Sequence, residues 1–218
     1  MQNLELPQEI AVWILPVLFA ITVHEVAHGW VAKQLGDPTA QMLGRLTLNP
    51  IKHVDPLGTV IVPLIFLLLP GGLIFGWAKP VPVTWENLRR PKRDMALVAI
   101  AGPLANLLMA IGWALVKKFG LLMAATMPSV AIPLIYMGTA GILINLVLMI
   151  LNLIPLPPLD GGRVLTGVLP GPLAWQVSRI EPYGFLVLIT LLMTGILGQV
   201  IWPVLAGMMR LFDLVFGI

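Results

Sequence analysis

The sequence predicts an all-α polytopic membrane protein with about 5–6 membrane segments and a small β or re-entrant element after the first span. Three observations predict it. Apolar residues make up 58% of the chain and charged residues 11%, where a soluble domain carries roughly 25% charged. Apolar runs of about 20 residues, the length that crosses a hydrocarbon core, recur along the chain. The basic residues gather in a few loops, as orientation in a membrane requires. The 218 residues leave room for a single domain, with a core over 10–165 and C-terminal helices over 166–218, and not for a membrane core plus a sizeable soluble module.

The first apolar segment, residues 10–31, has the length of a span. The N-terminus lacks a positive n-region, so the segment reads as a retained span and not a signal peptide. Over residues 36–57, Leu43, Leu46 and Leu48 alternate loosely with polar or small residues, which suits a short strand or hairpin near 41–48. The run Asn49-Pro50-Ile51-Lys52-His53-Val54-Asp55-Pro56-Leu57-Gly58 that follows cannot be a regular helix. Residues 59–77 are apolar but interrupted by Pro70-Gly71-Gly72. Lys33, Arg45 and Lys52 precede this segment, and Lys79, Arg89, Arg90, Lys92 and Arg93 follow it. The segment either spans once or enters and returns as a re-entrant hairpin, and with Lys and Arg kept cytoplasmic both flanks lie on one side, which favours the hairpin. Residues 95–116, with Asp94 as N-cap, 131–153 and 183–201 read as spans. Residues 202–218 read as a short span or an interfacial helix.

The chemistry begins in the first span. His24-Glu25-Val26-Ala27-His28 places two imidazoles one helical turn apart on one face, within reach of one metal ion, and Glu25 beside them as a base for a metal-bound water. The chain holds three His, and chance placement of this pattern runs at about one in a thousand. Ionisable groups at membrane depth are retained where they pair or bind something. Catalytic zinc takes three protein ligands and an open position. There is no Cys, so the third ligand is a carboxylate or His. Asp160 is the first candidate, because a Pro-rich break precedes it and Gly161-Gly162 follow it, allowing an irregular backbone to turn the carboxylate toward the metal. Asp55, with His53 two residues earlier, is the rival. As plain structure, Asp55 would be a turn residue and Asp160 an N-cap. Asn106, Asn145 and Asn152 offer side-chain amides to an unwound substrate segment, or else pack helices together. The 41–48 strand would pair with an extended substrate edge.

Orientation links these pieces. With residues 79–93 inside, the first span runs inward with His24 and His28 in its inner half. The span over 131–153 also runs inward, and Asp160 follows its inner end. Lys117 and Lys118 then lie outside, a mild exception to the rule. Net charge is +3, without the aromatic–basic interleaving of a nucleic-acid surface, so no nucleic-acid partner is expected.

His24-Glu25-x-x-His28, Ala101-Gly102-Pro103-Leu104-Ala105-Asn106 and Asn152-Leu153-Ile154-Pro155-Leu156-Pro157-Pro158-Leu159-Asp160-Gly161-Gly162 together resemble the site-2 protease family of intramembrane zinc metalloproteases, in its compact prokaryotic branch without PDZ or CBS insertions. The resemblance covers roughly residues 10–165. It implies one Zn2+ per chain on His24, His28 and Asp160, with Glu25 as catalytic base. It implies cleavage of membrane-protein substrate helices in the bilayer of a prokaryotic cell, with the site toward the cytoplasm. The alternative is a non-proteolytic membrane zinc-binding or zinc-transport protein. Glu25 discriminates against it, since a binding site has no need of that carboxylate. Substrate identity and oligomeric state have no sequence signature here.

Overall fold

The computed structural model describes residues 5–62, 64 and 76–218. Among them, four helices are long and apolar enough to cross a membrane. These are α1 (Leu6–Gln34), α3 (Pro91–Met123), α4 (Pro128–Asn152) and α8 (Ile196–Phe216). The one-turn α2 (Thr39–Met42) follows α1. The shorter α5 (Asp160–Val168), α6 (Gly171–Ser178) and α7 (Glu181–Met193) lie between α4 and α8.

Local chemistry sets the ends of these helices. α3 and α4 each begin on a proline, whose missing N–H costs nothing in a first turn. α3 starts a turn earlier than expected. Asp94 lies inside it and not at its cap, and its carboxylate accepts the Arg90 N–H at 2.8 Å. α3 packs against α1, α4 and α5, so it is the central post. Small residues bring α3 and α4 together. A Cβ on Gly138 would stand 2.8 Å from Lys117 Cα, and one on Gly120 would stand 3.1 Å from the Ala131 carbonyl. Close backbone approach of this kind is how helices pack in lipid, where apolar burial gives little advantage. Ala110, Ala114, Ile142, Leu146, Leu205 and Phe212 fill the core between α3, α4 and α8.

Two expectations are corrected. No strand forms over 41–48, and the described residues contain no strand elsewhere. Instead α2 closes with Gly44 at φ +63. The Gly44 N–H bonds to the Gln41 carbonyl at 3.0 Å and the Arg45 N–H to the Ala40 carbonyl at 2.8 Å. These two bonds form a Schellman cap, which turns the chain away from any ladder. The fifth span, expected over 183–201, is divided. α7 ends at Met193, Gly195 takes φ +75, and α8 begins at Ile196. The 13 residues of α7 reach about 20 Å, short of a hydrocarbon core of about 30 Å. The span-length helix is the tail. Among the described residues four helices have span length, and the expected count of five or six segments is not confirmed there. The re-entrant hairpin read over 59–77 falls mainly on 63 and 65–75, outside the described residues.

The loops after α1 and before α3 are joined. The Arg89 N–H bonds to the Leu35 carbonyl at 3.0 Å. Asp37, fully buried, accepts from the Thr84 N–H at 2.7 Å, the Asn87 amide at 3.0 Å and the Thr39 N–H at 3.1 Å, and also bonds the Thr39 hydroxyl. The C-terminal end of α1 and the N-terminal end of α3 thus lie together.

Burial alone would push the Asp37 carboxyl up, but its hydroxyl, amide and backbone donors hold it below the usual carboxylate range. Because the folded-state value is depressed, the stabilisation is complete above the unfolded pKa of about 3.9 and is lost as pH falls below that through the folded value. Asp37→Asn should lower stability at neutral pH by about 1–3 kcal/mol and flatten the acid limb of a thermal-melt series from pH 7 to 3. An unchanged melt series would remove Asp37 as the tie between these loops.

Candidate metal centre

α1 presents His24 and His28 from its C-terminal half, with ring centroids 4.7 Å apart and the rings nearly perpendicular. Both rings are buried, and α3 passes beside them. His28 Nδ1 lies 2.7 Å from the Val98 carbonyl, which can only accept, so Nδ1 carries the proton. His24 Nδ1 lies 2.6 Å from Asn106 Oδ1. The Asn106 amide nitrogen donates to the Ala20 carbonyl at 3.2 Å and to Asn145 Oδ1 at 2.9 Å. Asn145 in turn donates to the Gly141 carbonyl at 2.8 Å. This chain of donors fixes the orientation of each amide and makes His24 Nδ1 a donor as well.

With Nδ1 protonated, the neutral form of each ring turns an Nε2 lone pair inward. The two Nε2 atoms are 3.1 Å apart, and Asp160 Oδ2 lies 3.3 Å from His24 Nε2 and 3.2 Å from His28 Nε2. Asp160 Oδ2 is buried and accepts no hydrogen bond. Three acceptors facing one another in a buried site repel. A single proton could serve only one edge of the triangle, whereas one cation satisfies all three corners. Ligand atoms about 2.0–2.1 Å from tetrahedral zinc lie about 3.3 Å apart, which is the size of this triangle. The donor set fits zinc, and the partners of the two Nδ1 atoms are the outer shell that orients such ligands.

Glycines make the room. A Cβ on Gly102 would come within 2.6 Å of His28 Cε1 and strike its Nε2. Asp160 is the first residue of α5, one position past the N-cap Leu159. Gly161 and Gly162 are helical and carry no positive φ, so the irregular backbone expected of them is not their role. A Cβ on Gly161 would stand 2.5 Å from the Leu153 carbonyl carbon, and one on Gly162 would stand 2.7 Å from Pro157 Cα. Their bareness lets the first turn of α5 lie against the 153–157 loop, and that placement aims Asp160.

Among the described residues, His24, His28 and Asp160 form the one group able to share a metal ion. His53 and Asp55, the secondary candidates, stand outside it. His53 donates from Nε2 to the Thr47 carbonyl at 2.9 Å, and Asp55 caps a turn through the Leu57 and Gly58 N–H groups at 3.0 and 2.7 Å. Glu25 is half-buried, and its Oε2 accepts the Val81 N–H at 2.7 Å. Asn106, read as a substrate contact, has both amide donors and its oxygen engaged within the helices. Asn152 is half-buried and donates to the Leu148 carbonyl of its own helix at 2.9 Å. The sequence reading passed over Gly29, Gly102 as a spacer, and Val81. The alternation in Lys79-Pro80-Val81-Pro82 signals extended chain at 81, but not what it touches.

Known proteins are similar to this chain over most of its length. The "Putative zinc metalloprotease YwhC" of Bacillus subtilis (strain 168) is 40% identical over 211 residues, covering 93% of this chain and 91% of that one. The chain belongs to peptidase family M50. A model described as Peptidase family M50 matches residues 119–194, which include Asp160. The "Putative zinc metalloprotease Rip2" of Mycolicibacterium smegmatis is 31% identical over 195 residues, covering 87% of this chain and 71% of that one. No solved structure matches. As a member of family M50, the site-2 protease family, the protein is a zinc metalloprotease and an integral membrane protein.

Metal analysis of the detergent-purified protein should find about one zinc per chain, lost in His24→Ala/His28→Ala. Asn106→Ala should weaken zinc about 10–100-fold by releasing the His24 ring. Gly102→Ala should lower occupancy by driving a methyl group into the His28 ring. Full retention by the double His variant would remove the assignment.

Proposed function

We propose that this chain is an intramembrane zinc metalloprotease, hydrolysing peptide bonds within or near transmembrane segments of membrane-protein substrates in regulated intramembrane proteolysis. The observation that carries the reading is the triangle of three inward-facing acceptors, with Glu25 beside it, on a span-length helix. His24, His28 and Asp160 hold the metal. Bound there, zinc supplies a Lewis acid for the scissile carbonyl and an acidified water. Asn106 and the Val98 carbonyl keep the two imidazoles in the ligating tautomer. Glu25 takes a proton from the attacking water and delivers it to the leaving amine.

A transmembrane substrate hides its carbonyls in its own helical ladder, so the scissile stretch must unwind, and its freed backbone groups need partners in a dry site. Asn152, half-buried at the end of α4, supplies one such amide. Asn106 acts through His24 and not on substrate. The Lys/Arg excess at 79–93 orients the protein with its site toward the cytoplasmic side of a prokaryotic cell membrane.

Glu25→Gln should keep its zinc and lose cleavage. In membrane proteomes of wild-type and Glu25→Gln cells, single-span proteins should accumulate full length in the variant. Identical proteomes together with full zinc would point to a binding protein. Orientation has its own test in this Cys-free chain. Single cysteines at Gln41 and Arg90 should react with an impermeant thiol reagent only from the cytoplasmic side, and labelling of either from outside would reverse the orientation.

A further inference from the structure

The segment over 76–84 has neither helix nor strand and meets α1 at Glu25 and Gly29, beside the candidate metal centre. It is held along its length. The Trp77 N–H bonds to the Gly58 carbonyl at 3.0 Å, the Lys79 N–H to the His53 carbonyl at 2.9 Å, and the Thr84 N–H to Asp37 at 2.7 Å. Between these anchors the Val81 N–H reaches Glu25 Oε2 at 2.7 Å. Val81 lies between two prolines, so this is the sole backbone donor over residues 80–82. Val81 is 7% exposed and sits on Gly29, where a Cβ would stand 2.8 Å from Val81 Cγ1. The segment is therefore pressed onto the turn of α1 that carries Glu25 and His28.

One side chain grips this segment just ahead of Val81. Arg45 donates from one terminal guanidinium nitrogen to the Lys79 carbonyl at 3.0 Å and the Pro80 carbonyl at 3.4 Å. Among the described residues Arg45 has no acidic partner within ion-pair distance, and its Nε is buried without a hydrogen-bond acceptor. A guanidinium committed to two successive carbonyls fixes the second peptide unit, because the Pro80 carbonyl and the Val81 N–H lie in one plane. That peptide is the one whose N–H holds Glu25.

We propose that Arg45 and the Val81 N–H form a positioning device for the catalytic base: Arg45 sets the 79–80 peptide carbonyls, and the Val81 N–H holds one oxygen of Glu25 so that the other is free to exchange protons. The proposal rests on Glu25 being the base. Arg45 touches neither ligands nor substrate and acts through Val81. The anchoring on both sides of Val81 makes the segment a fixed rest and not a moving lid. Loss of the grip frees Glu25 to other rotamers, so it lowers turnover and leaves substrate affinity unchanged. Misplacing a catalytic group by about 1 Å costs up to about a hundredfold.

The experiment compares wild type, Arg45→Ala, Arg45→Lys and Glu25→Gln in detergent. The backbone N–H of Arg45, which closes the α2 cap, survives both Arg45 substitutions. The first readout is zinc content. The second is kcat and KM on a single-span fusion protein that wild type cleaves. The third is the Val81 amide proton shift, seen by 13C-carbonyl proline and 15N-valine labelling and assigned with Val81→Ile. Arg45→Ala should keep its zinc, lose about ten- to hundredfold in kcat with KM unchanged, and move the Val81 shift toward its position in Glu25→Gln. Arg45→Lys should recover part of both. An unchanged kcat and shift in Arg45→Ala, or loss of zinc along with activity, would overturn the proposal. Equal cleavage by wild type and Glu25→Gln would instead fail Glu25 as the base. The amide shift would then still decide whether Arg45 seats Val81 on Glu25.

Discussion

The metal centre depends on the direction of a few hydrogen bonds. From the Gly141 carbonyl through Asn145 and Asn106 to His24, each amide nitrogen faces acceptors only, and the last link puts the His24 proton on Nδ1. The Val98 carbonyl does the same for His28. These bonds cross between α4, α3 and α1, so the tautomer of two side chains is decided by how three helices pack. Sliding one helix by a turn would lose the ligand geometry while leaving the helices intact. In a low-dielectric interior such a network is costly when half satisfied, and this one is satisfied except where three acceptors face one another.

Close approach is the second constraint. Gly102 clears the imidazoles, Gly161 and Gly162 seat α5 on the 153–157 loop, and Gly29 admits Val81. None of the four needs a positive φ. What they supply is the absence of a Cβ, which lets backbone come close to its neighbours around the candidate site. A methyl group at any of the four would collide with the neighbour that the bare position now clears.

Much of this was legible in the sequence. The spacing of His24 and His28 gives the shared helical face, the length of the apolar runs gives α1, α3 and α4, and the break before Asp160 marks where a carboxylate returns to the site. The rest was illegible for definite reasons. The alternation of Leu43, Leu46 and Leu48 imitates a strand, but Gly44 caps a helical turn. Hydropathy is continuous across Gly195, so a window average runs over the single left-handed residue that divides the helix. Asn106 was read for its side-chain chemistry without its neighbours, and its neighbours are what commit its amide. Val81 acts through its backbone, which its identity does not reveal, and Asp37 resembles any loop aspartate until its donors arrive from 84 and 87.

The distribution of the three proposed ligands along the chain has a consequence for biosynthesis. His24 and His28 emerge early on α1, but Asp160 is made only after α3 and α4 are complete. On that proposed ligand set, the chain being inserted carries two of the three ligands and lacks the third. Tight metal capture therefore waits until the helices that orient the imidazoles are in place, because metal binding is coupled to folding. On the same ligand set, the site closes only together with the scaffold that confines it.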